Sequence, residues 1–186
     1  MKVRWQVRWL ARPGCVLVLA AFAAGCDTQA EPPLAEEWVA NMGADQVMFN
    51  VEHFVTANGI VRGKLLADTA FMYEDSAIVR VRPVNLTLYN EQGEVAGEVT
   101  AEAGRLDTRT QRMVATGSVV VEETAGDRIE TEELHFDPNR DRVWSEVATT
   151  IHRGGTVLRG TGFTSNTELT DTRLDAPTGS VRGLEF

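Results

Sequence analysis

Cys26 is the residue of this chain best placed for covalent chemistry, because Ala23-Ala24-Gly25 sets three small residues directly before it. That arrangement resembles a lipobox, at which the chain is cut and the cysteine acylated. Upstream, Lys2, Arg4, Arg8 and Arg12 precede an uncharged run from Cys15 to Ala24, the charged-then-apolar order of an export signal. Such a run is too short for a permanent span, which needs about 20 apolar residues. Residues 1–25 therefore read as a removable lipoprotein signal, and Cys26 as the lipidated first residue of the mature chain. Cys15 leaves with the signal, so no intramolecular disulfide is available. Asp27, second in the mature chain, points to retention at the inner membrane rather than the outer one.

Other chemistry is sparse. His53, His135 and His152 are far apart and show no close ligand pairing, and without a second cysteine a zinc site is not expected. There is no Gly-x-Ser-x-Gly elbow and no phosphate-cradling loop ending in Lys-Ser or Lys-Thr. Gly160 and Gly162 form a Gly-x-Gly in a strand-like run with no helix after it. Glu132-Glu133 and Asp137/Asp141 have the groups for acid and base work on glycans, yet on turns of so acidic a chain they read as solvated surface. The expectation is a binding protein with no catalytic residues, metal or cofactor.

The elements that must position a binding surface begin near residue 45. Removing the signal leaves 161 residues, enough for one domain, with 14 Lys plus Arg against 27 Asp plus Glu, a net charge of −13. Nucleic acid needs a basic face and is excluded as a partner. Anionic headgroups would repel this net charge, so the lipid anchor is expected to supply membrane attachment. Residues 26–44 read as the acylated cysteine and an acidic, proline-containing linker, in which Leu34, Trp38 and Met42 suit either one side of a short helix or a disordered leader.

From residue 45 to 186 the apolar residues alternate in short runs, as in Asn85-Leu86-Thr87-Leu88-Tyr89, and turn residues separate them at Asn58-Gly59, Gln92-Gly93, Gly126-Asp127, Pro138-Asn139 and Gly154-Gly155. Period two predicts strands, and the class is all-β. Four segments opening at Ala67, Ala101, Thr131 and Gly160 resemble one another at spacings of 34, 30 and 29 residues. A second echo links Gly117-Ser118-Val119, Ser145-Glu146-Val147 and Gly179-Ser180-Val181. Repeats of this length predict stacked antiparallel hairpins forming a roll with open edges, to which a partner adds strands.

The motifs in order resemble the LptC family of lipopolysaccharide-transport proteins, from about Asp45 to Phe186. They are Leu66-Ala67-Asp68-x-Ala70, Leu86 to Tyr89 with Gly93, Ala103-Gly104-x-Leu106-Asp107, Gly117 to Val121, Thr131-x-x-Leu134-x-Phe136-Asp137 and Leu158-Arg159-Gly160-x-Gly162-Phe163. The resemblance implies a twisted β-jelly-roll that binds the lipid A acyl chains of lipopolysaccharide. It implies docking on an inner-membrane LptF/LptG-type ABC transporter at the N-terminal edge and on an LptA-like bridge protein at the C-terminal edge. Many members are held by a transmembrane helix, where this chain has Cys26. Leu86, Leu88, Val119, Val121, Ile129, Leu134, Phe136, Val147, Ile151, Leu158 and Phe163 are expected on the inner face, as lipid contacts or as closed core. Gly160 and Gly162 are expected at the partner edge. The rival readings are a lipid-anchored envelope scaffold that handles no glycolipid, and a glycan hydrolase.

Overall fold

The structure, a computed structural model, describes residues 43–73 and 76–178. The signal, Cys26, the linker to residue 42, the Gly179-Ser180-Val181 echo and the end of the chain lie outside the described residues.

Among the described residues thirteen strands form one antiparallel sheet. They are β1 (Gln46–Ala57), β2 (Ile60–Met72), β3 (Ile78–Arg82), β4 (Val84–Tyr89), β5 (Val95–Ala101), β6 (Ala103–Asp107), β7 (Met113–Glu123), β8 (Arg128–Asp137), β9 (Arg142–Ser145), β10 (Thr149–Arg153), β11 (Thr156–Gly160), β12 (Gly162–Ser165) and β13 (Arg173–Asp175). The alternating pattern produces them as expected, with five of the turn signals at hairpin connections. Asn58-Gly59 and Gly154-Gly155 both take positive φ, as a two-residue turn between twisted strands requires.

Several of these strands are halves of one longer strand. β3 runs into β4 through a cis Arg82-Pro83 bond, β5 into β6 at Glu102, and β11 into β12 at Thr161. β2 pairs with β4 through its first half and β3 through its second, and β7 pairs with β6 through its first half and β5 through its second. The breaks fall at one level across the sheet, at Asn50, Asp68, Pro83, Glu102, Gly117-Ser118, Glu132, residues 146–148 and Thr161. The sheet is therefore bent along a line into two layers. The first holds residues 51–57 and 60–67, β4, β5, residues 119–123 and 128–131, β10 and β11. The second holds the complementary halves with β3, β6, β9, β12 and β13.

The repeat read in the sequence marks this bend. Position two of each segment, at Asp68, Glu102, Glu132 and Thr161, stands on the line, and so do Ser118 and Glu146 of the second echo. Polar side chains there bond to one another: the Ser118 hydroxyl donates to Glu102 at 3.0 Å, and the Ser118 amide to Glu132 at 3.5 Å. Inside the bend, Thr131 and Ser145 share a hydroxyl bond of 2.9 Å, while Thr149 and Thr131 donate to the carbonyls of Val147 and Ala148. Buried backbone that leaves the ladder is thereby satisfied.

Between the layers, one apolar cluster draws from both, including Leu65, Leu86, Leu88 and Ile129 of the first and Val81, Met113, Leu134, Phe136 and Phe163 of the second. Close approach near the bend needs Gly104, where an added Cβ would lie 2.7 Å from Val84 Cγ2 and 3.0 Å from Met113 Cε. Replacing Gly104 by Val is expected to cost about 1–3 kcal/mol through overpacking. Thermal unfolding should show it as a drop of roughly 3–10 °C.

Candidate functional site: the interior between the layers and its two edges

Antiparallel partners share a face, so the register shows which inward residues form continuous rows. One row crosses the first layer from edge to edge as His53, Leu65, Leu86, Val99, Val121, Ile129, Ile151 and Leu158. At a spacing of about 4.8 Å per strand it is about 34 Å long. A matching row in the second layer passes through Met72, Val79, Leu106, Met113, Phe136 and Val143. The interior is thus two facing apolar stripes that run between the N-terminal and C-terminal edges of the sheet.

Of the eleven residues expected inside, Leu86, Leu88, Val119, Val121, Ile129, Leu134, Phe136, Ile151 and Phe163 are buried in this cluster. Leu158 is half-buried against it at the last strand of the first layer. Val147 lies in the link between β9 and β10 and is 38% exposed, so the structure places it outside the interior.

The layers meet again away from the bend, mostly at the tips of their hairpins, through contacts that leave no local sign in the sequence. Arg62 of β2, 5% exposed, donates to Asp141 at 3.3 Å, to Glu168 at 3.3 Å and to the Thr167 hydroxyl at 3.1 Å. The Asp141 carboxylate also takes the Thr167 amide at 3.1 Å and its hydroxyl. Burial raises the Asp141 pKa, but the Thr167 bonds and the Arg62 charge outweigh it and hold the group below 3.8. His53 and Gln111 touch at 3.4 Å, and Thr172 donates to Glu123 at 3.2 Å. Leu169 packs over Gly97, where a Cβ would come within 2.7 Å of its Cδ1. These contacts join tips from the first half of one layer to tips from the second half of the other, so the layers cross. Glu123 is only 8% exposed, and burial followed by the Asp127 charge pushes its carboxyl above 4.5.

The two edges differ. Among the described residues β1 pairs only with β2, which puts a 12-residue edge at the start of the sheet, with Phe54 exposed on its outer side. At the far end β13 pairs with β12, and Arg159 bridges to Thr178. Gly160 and Gly162 sit here: a Cβ on Gly160 would stand 2.7 Å from Leu174, and one on Gly162 would collide with the Ser145 carbonyl. The chain's own strands β13 and β9 explain the bare backbone.

The polar candidates do not converge. Glu132 lies on the bend, Glu133 holds His135 at 2.8 Å, Asp137 accepts from the Arg140 amide and Asp141 belongs to the Arg62 cluster. His53 and His152 stand on β1 and β10, and among the described residues no cluster of His, Cys, Asp and Glu suits a metal.

Residues 15–178 match the family described as lipopolysaccharide-assembly, LptC-related. The chain belongs to this family. Its LptC-like domain is an all-β jelly-roll, and family membership gives the chain a role in lipopolysaccharide transport in the periplasm. No curated protein matches it. Among solved structures it is similar to LptH, the LptA-homologous periplasmic component of the lipopolysaccharide transport device from Pseudomonas aeruginosa, with a TM-score of 0.48 and 15% identity over 66% of this chain and 89% of that one.

Two substitutions test the junction between layers. Arg62→Ala strands partly exposed carboxylates and is expected to cost about 1–2 kcal/mol, below the 3–5 of a fully buried pair. Glu123→Gln should raise the melting temperature at pH 7. The folded pKa is raised, so the protonated group favours the fold below 4.5 and that contribution is lost as pH rises through the folded value. The gain from the Gln variant should therefore vanish at pH 4, which melts at both pH values will show.

Proposed function

We propose that this chain is a membrane-anchored segment of the lipopolysaccharide bridge, acylated at Cys26 and carrying lipid A acyl chains between its two layers from the N-terminal to the C-terminal edge. The observation that carries this reading is the edge-to-edge apolar row in a chain of the LptC-related family. Each methylene of an acyl chain exposed to water costs about 0.8 kcal/mol, so roughly ten amount to about 8 kcal/mol, and a carrier must shield them throughout. Sugars and phosphates stay outside at the layer tips.

In the structure the row is filled by its own side chains, so lipid enters by parting the layers. The bend serves as the hinge, since most strands pass through it unbroken or with a single-residue interruption and β9 joins β10 through residues 146–148, whereas away from the bend the layers are joined, among the described residues, by side chains such as Arg62 and His53. The free β1 edge suits an upstream inner-membrane ABC transporter of the LptF/LptG type, and the β11–β13 end suits an LptA-like acceptor. Consecutive rows of similar affinity impose no direction, so flow comes from the upstream ATPase.

Photo-crosslinkers in place of Phe136 or Val121 are expected to capture lipopolysaccharide in cells. One at Glu98, on the outer side, should not. A short bis-maleimide joining His53→Cys to Gln111→Cys should abolish capture at Phe136, and capture undiminished in the joined protein would refute entry between the layers.

A further inference from the structure

A net charge of −13 hides an uneven distribution. On the outside of the first layer most basic groups are matched, Lys64 by Glu52 at 3.0 Å and Arg128 by Glu122 and Glu130 at 2.7 and 2.9 Å, with Arg159 on its last strand the exception. On the outside of the second layer they are not. There the register places Arg80, Arg105, Val114, His135 and Trp144 in one row on successive strands, which ends at the buried Phe71. Arg82, Arg112 and Arg142 lie two residues along the same strands and so share this face.

Arg80, Arg82, Arg105, Arg112 and Arg142 are all exposed, and none has a carboxylate partner among the described residues. Their contacts are weak: Arg80 over the Tyr73 ring at 5.2 Å, Arg142 over Trp144 at 4.7 Å, and single bonds to threonine hydroxyls from Arg112 and Arg142. The acids on this face are already engaged or remote. Asp107 accepts the amides of Arg109 and Thr110, Glu133 holds His135, Asp137 is buried against the Arg140 amide, and Asp175 lies at the far edge. Between Arg105, Arg112, His135 and Trp144 the face is hollowed into a groove of about 230 Å³. Phe49, paired with Thr69 beside Arg82, is 58% exposed.

We propose that this face lies on the membrane, its arginines on the phosphates of anionic phospholipid headgroups and Phe49 and Trp144 at the boundary with the acyl region. Charge complementarity favours that occupant, and so does the flat face: unpaired guanidinium groups spread over five strands, about 19 Å, match a surface of many phosphates better than a single anion. An exposed phenylalanine at residue 49 and a half-buried tryptophan at residue 144, stacked on His135, stand among the arginines, and such a mixture is the composition of an interfacial surface. The chain also enters the fold in this layer, at Asp45, and 19 residues from Cys26 reach at most about 65 Å. Long-range repulsion from the acids elsewhere is screened beyond about 8 Å in physiological salt, so the local face decides contact. The inference rests on the anchored reading above for its geometry, and it assigns the anchored domain an orientation.

The test uses the mature chain with Trp38→Phe, which leaves Trp144 as its one tryptophan. With Cys26→Ser the chain should partition onto vesicles containing phosphatidylglycerol, and brominated lipid should quench Trp144. Partitioning should collapse in about 0.5 M salt. Each arginine near the surface is worth about five-fold, so Arg80→Gln/Arg82→Gln/Arg105→Gln should lose about 100-fold at an unchanged melting temperature. Equal binding to phosphatidylcholine vesicles, an equal loss from Lys64→Gln/Arg128→Gln, or an unquenched Trp144 in the bound chain would overturn the proposal. Abolition by millimolar inorganic phosphate would do so too, by showing a site for a single anion. Because this arm lacks the acyl chains, failure of acylation at Cys26 in cells leaves it untouched, while its own failure leaves the anchor and the lipid path standing.

Discussion

Every long strand of this domain has to turn at the same level, and the rest of the fold follows from that constraint. A sheet this wide cannot bury an apolar face against itself unless it bends, and one straight strand would hold the layers apart. The chain meets the requirement by several local means: a proline at residue 83, positive φ at Asn50, Gly117 and Ser118, and single residues outside the ladder at Glu102 and Thr161. Polar side chains are placed where the ladder opens, and hydroxyls of Thr131, Ser145 and Thr149 satisfy the carbonyls it frees.

From the bend come both the interior and its direction. Layers folded along a line running across the strands enclose apolar rows that also run across the strands, so the protected path leads from one sheet edge to the other. The edges are where neighbouring sheets can continue it. The same geometry leaves the tips as the place where the interior can open, closed by Arg62, His53 and Glu123 with their partners. These are few side-chain contacts at the rim, weak beside the apolar burial, and they suit a boundary that has to part.

The strands, their turns and the buried residues of the second and later hairpins were legible because alternation and Gly-containing turns are local. The repeat was legible too, but its meaning was not. Periodic similarity reports that a position recurs, and only the register shows that Asp68, Glu102, Glu132 and Thr161 are aligned bends. Val147 carries the parity of an inward residue and was expected inside, yet it belongs to the link that interrupts β9 and β10. The Arg62 cluster joins residues about a hundred positions apart and leaves no sequence pattern. The arginine face was hidden by averaging: Arg80 and Arg82 alternate with Val79 and Val81 in plain view, but a net charge of −13 sums over both layers and the linker.

The central claim is that lipid lies between layers that hinge at the bend. Pulsed spin-label distances measure this directly, with one pair at Asn58 and Asn139 across the tips and another at Glu102 and Glu146 along the bend. On binding lipopolysaccharide the distance across the tips should lengthen by several ångströms, about the width of an acyl chain, while the distance along the bend stays fixed. Bound lipopolysaccharide with no change across the tips would contradict the account.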